Sequence, residues 1–178
     1  GGGYNGYYNS YSMYDNEITK KVDPDDLNDG VVGFKNIGNT CYMNSAMQCL
    51  VHIDFLKDFL LYNQFQPMIN DDNPIGANGD LIKSVAALMK EYWTTHSSYV
   101  SPTSFKRCVS KYMPAFEGYS HHDSQEFLSQ LLDTCHEDTN QILKKPYTST
   151  PTLHPGQKSD QEMARDSWIL HLKRNNSF

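Results

Sequence analysis

Cys41 follows Gly38-Asn39-Thr40 and opens an apolar-periodic stretch, Tyr42, Met43, Ala46, Met47, Leu50 and Val51. That order predicts a glycine-bearing turn running into an amphipathic helix, with the thiol at the helix N-terminus. Unpaired backbone N–H groups and the positive end of the helix dipole favour a thiolate there. Asn36 lies five residues upstream in the same turn. Its side-chain amide and the Cys41 backbone N–H are candidates to hold a tetrahedral oxyanion. Such a cysteine is a candidate nucleophile. On residue chemistry alone the alternative, a small buried hydrophobe, stays open.

Asp123 and Glu126 are the second candidate pair. They begin a stretch whose apolar positions, Phe127, Leu128, Leu131, Leu132 and Cys135, recur at helical spacing. Asp123 at the cap and Glu126 three residues on resemble a capping box. On their own these two residues read as a helix cap. None of the four cysteines makes a Cys-x-x-Cys pair, which leaves no zinc-ribbon or thioredoxin motif. Cys49, Cys108 and Cys135 fall on apolar faces and are expected in the core. No metal site and no cofactor is expected; His121, His122 and Asp123 are adjacent, and adjacent residues seldom converge on one ion.

Further elements position these residues. Val31, Val32 and Phe34 suit a short strand or packed turn before Gly38. A second apolar run covers Phe55 to Tyr62, and residues 63–79 read as a loop rich in Pro, Gly and Asn. Asp80 is expected to cap a helix burying Leu81, Ile82, Val85, Leu88, Met89 and Tyr92. Ser101-Pro102 reads as cap plus first-turn proline of a helix ended by Met113-Pro114. Asn39 or Thr40 is the expected cap before Cys41. Residues 144–160 read as a flexible insertion, followed by a short helix over Gln161 to Lys173.

The chain has 178 residues, net charge −6 and 38% apolar residues, and its mean hydropathy is −0.63. One domain with unstructured segments fits these values. The negative balance disfavours nucleic acid as a partner and suits a basic protein tail. No apolar run reaches membrane-spanning length, so no membrane association is expected. Residues 1–30, where Tyr4, Tyr7, Tyr8, Tyr11 and Tyr14 alternate with Gly, Asn and Ser before an acidic stretch, read as a disordered tail and linker. Residues 31–178 form the expected folded unit. The first residue is Gly1, so the sequence reads as a fragment or a processed chain. No secretory signal is visible, which points to an intracellular setting, cytoplasm or nucleus.

Gly33 to Leu50 resembles the cysteine box of the ubiquitin-specific proteases, G-L-x-N-x-G-N-T-C-Y-M-N-S-x-L-Q-x-L, with Phe34 and Met47 in place of two leucines. Ser101 to Phe105 and Phe116 to Leu128 resemble the family's S-P-x-x-F and G-Y-x-Q-Q-D-A-x-E-F-L segments. Leu131-Leu132-Asp133 with His136-Glu137-Asp138 is similar to L-L-D-x-L-H-E-D, and Trp168 with His171 to Ser177 to W-x-x-H-x-x-R-N-x-S. The likeness covers residues 31–178 in family order.

The resemblance implies an α+β papain-like fold, of which this segment is the mostly helical, thumb-like first half, truncated before the fingers and palm. It implies a deubiquitinase acting on ubiquitin and ubiquitinated proteins, with Cys41 as nucleophile and Asn36 as oxyanion donor. Asp123 and Glu126 are then expected to meet the basic ubiquitin tail. His121-His122 departs from the usual Gln-Gln. The family's histidine base lies in an H-x-G-H-Y box that does not occur here. His52 is about 16 Å along the helix from Cys41 at 1.5 Å rise per residue, beyond hydrogen-bond reach. This segment alone is therefore expected to be inactive; the alternative is a non-catalytic ubiquitin-binding or interaction module.

Overall fold

A computed structural model describes residues 14, 16, 18–70, 72–142, 146 and 159–175. Most of the expected 144–160 insertion and Tyr4, Tyr7, Tyr8 and Tyr11 lie outside them. Six helices, α1 (Cys41–Val51), α2 (Asp54–Leu61), α3 (Asp80–Thr94), α4 (Thr103–Tyr112), α5 (Ser124–Thr139) and α6 (Asp160–Leu172), account for most of the described chain. The mostly helical architecture is the one the resemblance implied.

Helical periodicity located the buried faces. In α1 the buried residues are Tyr42, Met43, Ala46, Met47, Leu50 and Val51, and in α3 every apolar position foreseen is buried. Helix α5 buries Phe127, Leu131 and Cys135, but Leu132 is 47% exposed, one position off the packed face. Helix α1 packs on α2 and α5, while α3 lies centrally against α2, α4 and α5. Burying these large side chains supplies the main drive to fold.

The helix starts differ from those expected. Thr40 precedes α1, but its hydroxyl makes no cap bond to that helix. Gly79, at φ +76, is the cap residue of α3, a backbone conformation glycine adopts without strain. Asp80 is the first helical residue; it is buried and accepts hydrogen bonds from the Tyr112 hydroxyl and, at 3.0 Å, from Lys111. The cap of α3 comes instead from Asp138 at the far end of α5. Its carboxylate accepts the Ala77 N–H at 2.5 Å and the Ile82 N–H at 3.2 Å. Helix α4 begins at Thr103 with Pro102 at the cap, and Ser101 Oγ meets Thr103 Oγ1 at 3.0 Å rather than the backbone.

Two strands of two residues each, β1 (Gly33–Phe34) and β2 (Tyr99–Val100), pair in parallel, Gly33 with Tyr99 and Phe34 with Val100. The pair anchors the chain just ahead of the Cys41 turn: Gly33 donates to the Ser98 carbonyl and Lys35 to the Val100 carbonyl, both at 2.9 Å.

Within the described residues 18–30, Ile18 and Asn28 are tied to the folded unit rather than solvated. Ile18 is 1% exposed. Its carbonyl accepts from Lys90 Nζ and, at 2.8 Å, from Asn63 Nδ2. Asn28 Nδ2 donates to the carbonyls of Tyr92 and Thr95 at 2.7 and 3.0 Å. A polar segment docks here because side-chain donors on each side satisfy backbone acceptors on the other.

Helix α6 begins on a full capping box. Glu162 N–H donates to Ser159 Oγ at 3.3 Å, and Ser159 N–H donates to Glu162 Oε2 at 2.8 Å. With no fully buried residue, α6 depends on this cap more than the core helices do. Ser159→Ala is expected to cost about 1 kcal/mol, read as lowered hydrogen-exchange protection over residues 160–172.

Candidate active site

Cys41 occupies the first position of α1 and is exposed. As the first helical residue its N–H has no acceptor within the helix. The preceding turn is braced from inside by Asn36. Asn36 Oδ1 accepts from the Gly38 N–H at 3.1 Å and the Thr40 N–H at 3.2 Å, with the Thr40 hydroxyl at 3.3 Å. Two backbone donors can meet only the amide oxygen, which fixes the orientation of the group and leaves Nδ2 unused by the turn. Thr40, fully buried, accepts the Ile37 N–H at 3.2 Å. Its hydroxyl thus closes the turn rather than capping the helix. Gly38 and Asn39 take φ +117 and +51, and the bracket holds this pair of left-handed residues in place.

The second candidate element stands beside the first. Tyr42 lies between Phe116, the His122 ring and Phe127, with centroids 5.0–5.7 Å apart. Ser45 Oγ and Ser124 Oγ are 3.2 Å apart, joining α1 to the first turn of α5. Asn39 Nδ2 donates to the Tyr119 carbonyl at 2.7 Å. Cys41, Asn36 and the Asp123–Glu126 turn are therefore brought together on one side. Burial, and secondarily the charge interaction with Cys41 next to it, raises the Tyr42 phenol above its ordinary value.

Asp123 caps α5: its Oδ1 accepts the Gln125 and Glu126 N–H groups, both at 2.9 Å. Glu126 does not bond back to the Asp123 backbone, so the foreseen capping box is half formed. Both carboxylates are exposed. His121 is exposed as well, whereas His122 is half-buried and its Nε2 meets no hydrogen-bond partner among the described residues.

The other thiols separate by burial. Burial pushes the Cys108 thiol up to about 12 and the Cys135 thiol well above its ordinary value, keeping both protonated and inert near neutral pH. Cys49, expected in the core, is exposed: it lies one position off the buried stripe of α1.

None of the described histidines hydrogen-bonds Cys41. His52 ring nitrogens face the Gln48 and Gly30 carbonyls at 2.7 and 3.1 Å, and His136 Nε2 faces Asn175 Oδ1 at 3.1 Å. His171 stacks on Trp168, and His96 lies 3.7 Å from Asp26. His154 lies outside the described residues. Among the described residues no three His, Cys, Asp or Glu side chains group to hold a metal, and no helix is long and apolar enough to cross a membrane.

Sequence reasoning passed over Tyr119, which appeared only as one letter of a longer motif. Its ring lies on Gly38: a Cβ built on that glycine would be 2.6 Å from Tyr119 Cδ1. The available signal was Gly38 itself, since a glycine in a tight turn often marks a close approach by another group.

Residues 32–177 match the family described as ubiquitin carboxyl-terminal hydrolase. Among similar proteins, human ubiquitin carboxyl-terminal hydrolase 15 is 41% identical over 169 residues, covering 95% of this chain and 17% of that protein. Ubiquitin carboxyl-terminal hydrolase 12 of Saccharomyces cerevisiae is 42% identical over 157 residues, 82% of this chain and 12% of that protein. Bovine ubiquitin carboxyl-terminal hydrolase 4 is 38% identical over 175 residues, 98% of this chain and 17% of that protein. The chain spans less than a fifth of the length of the curated relatives it matches.

Proposed function

The chain belongs to the ubiquitin carboxyl-terminal hydrolase family, and on that footing we propose that it carries the nucleophile and part of the tail-binding surface of a thiol-dependent deubiquitinase. One observation carries the reading: an exposed cysteine at a helix N-terminus, under a turn whose Asn36 amide is oriented by two backbone donors.

In the proposed reaction Cys41 Sγ attacks the carbonyl carbon of ubiquitin's C-terminal glycine. The carbonyl oxygen takes the charge, and the Cys41 N–H and Asn36 Nδ2 hold it. Collapse breaks the C–N bond; the amine leaves with a proton and a thioester remains. Water then hydrolyses the thioester and returns the thiol. Asp123 and Glu126, exposed on the neighbouring helix turn, meet the basic tail of ubiquitin or of its conjugates. Free thiols throughout the chain suit a reducing intracellular compartment, cytoplasm or nucleus.

Both proton transfers need an imidazole within hydrogen-bond reach of Sγ, and no described histidine supplies one. The 178-residue chain alone is therefore proposed to be inactive, and the same observation supports the second reading, a ubiquitin-binding module without turnover. Ubiquitin bearing a C-terminal electrophile separates the readings. Negligible labelling of the isolated chain, with robust labelling of Cys41 in the full-length gene product, is expected. Robust labelling of the isolated chain sinks the inactivity; no labelling in either sinks the enzymatic reading.

Asn36→Asp offers a sharper check on the oxyanion role. The carboxylate retains an acceptor for the Gly38 and Thr40 N–H groups but has no donor and adds a charge of the wrong sign. A fall of about 10²- to 10³-fold in kcat of the active full-length protein is expected, with melting little changed.

A further inference from the structure

Asn36 braces the nucleophile turn from inside, yet the two backbone groups it accepts from, Gly38 N–H and Thr40 N–H, skip residue 39. The Gly38–Asn39 peptide is held from the other side by Tyr119. The Tyr119 carbonyl accepts Asn39 Nδ2 at 2.7 Å, and the ring covers Gly38 so closely that an added Cβ would sit 2.6 Å from Cδ1 and 3.1 Å from Cε1. Tyr119 is 74% exposed, so burial in the core does not account for its place. Gly118, at φ +78, turns the chain immediately before it.

Resting on the function proposed above, we propose that Tyr119 is a positioning residue: its ring and carbonyl clamp the Gly38–Asn39 peptide and thereby keep the Cys41 N–H aimed where the oxyanion forms. The clamp is a matter of shape. The hydroxyl makes no hydrogen bond among the described residues, so the ring edge and the backbone carbonyl are the parts in use. The same short loop continues to His121, His122 and the Asp123 cap. A tail held by the Asp123–Glu126 turn is thus gripped by the loop that sets the nucleophile turn, which ties binding to alignment. A donor misplaced by about 1 Å is enough to cost on the order of 10²-fold in rate.

The test compares Tyr119→Ala with Tyr119→Phe in the full-length gene product, using a fluorogenic amide of the ubiquitin C-terminus. The alanine variant is expected to lose about 10- to 100-fold in kcat with KM within about twofold, and the phenylalanine variant to stay within about twofold in both. A wild-type kcat for the alanine variant, an equal loss in the phenylalanine variant, or a loss confined to KM overturns the proposal. Asn39→Gly keeps the left-handed backbone but drops the bond to the Tyr119 carbonyl. It should lower kcat in the same direction, and it decides the matter if the alanine variant fails to fold.

Amide hydrogen exchange over residues 37–41 of the 178-residue chain gives an arm that needs no turnover. Exchange about 10-fold faster in Tyr119→Ala supports the clamp, and unchanged exchange overturns it. If exchange responds while the wild-type full-length protein releases no ubiquitin, the enzymatic reading falls and the clamp stands. If release is normal and neither readout responds, the clamp falls alone.

Discussion

Cys41→Ala in the full-length gene product is expected to reduce release of ubiquitin's C-terminus by on the order of 10⁵-fold, to the level set by the remaining oxyanion donors and binding contacts. The thiol is the only group in the proposed mechanism that bonds to the acyl carbon, so no neighbour replaces it. The substitution sits at an exposed first helical position, and the melt should move by no more than about 0.5 kcal/mol. Cys49 is the built-in control. It is exposed on the same helix, two turns on and outside the proposed machinery, and Cys49→Ala should keep kcat/KM within about twofold. The measurement is steady-state hydrolysis with intact-mass detection of the thioester. Persistence of activity in Cys41→Ala, or its loss in Cys49→Ala, would refute the assignment.

Asp138→Ala is expected to damage the fold severely, by about 3 kcal/mol and roughly 10 °C in melting temperature. Asp138 is fully buried, and its carboxylate holds the Ala77 and Ile82 N–H groups at the start of α3. Alanine strands those donors where no water reaches, and leaves a small void. Burial raises the Asp138 carboxyl above its ordinary value, ahead of the lowering by those backbone donors. A folded value above the unfolded one means that titration favours the fold most at pH below the unfolded carboxyl's range. That contribution is lost as pH rises through the folded value. The cost of Asp138→Ala should therefore be larger near pH 4 than near pH 7, by denaturant titration at both. A cost that grows with pH would contradict this account of the burial.

The two predictions differ in how far the sequence alone supported them. The turn ahead of Cys41 was legible because it is local: Gly38 and the helix start lie within a few residues, and each carries its own signature. The buried faces of α1 and α3 were legible because apolar spacing repeats over several turns. Asp138 was not. Its role depends on α3 and α5 meeting end to end, and its position in the chain gives only the last turn of a helix. Strand β2 was passed over because two residues cannot display a period. Ile18 and Asn28 were misjudged for a related reason. Composition counts polar groups but does not show that Lys90 and the Tyr92 carbonyl stand ready for them. Tyr119 belongs with these, since its motif letter says nothing about lying on Gly38.

The span of two contacts bears on the order in which the surroundings of Cys41 assemble. Asn39 reaches its carbonyl partner across 80 residues and Ser45 reaches Ser124 across 79. Helix α1 and the Asn36 turn are local and can form early, but their outer supports require closure of a long loop, which is slow and entropically costly. During synthesis, residues 36–41 leave the ribosome well before residues 119–124 exist. The nascent chain then holds Cys41 in a turn whose contacts to Tyr119 and Ser124 are not yet made. Late assembly of this kind leaves the turn ahead of Cys41 without its outer supports until residues 119–124 have been made.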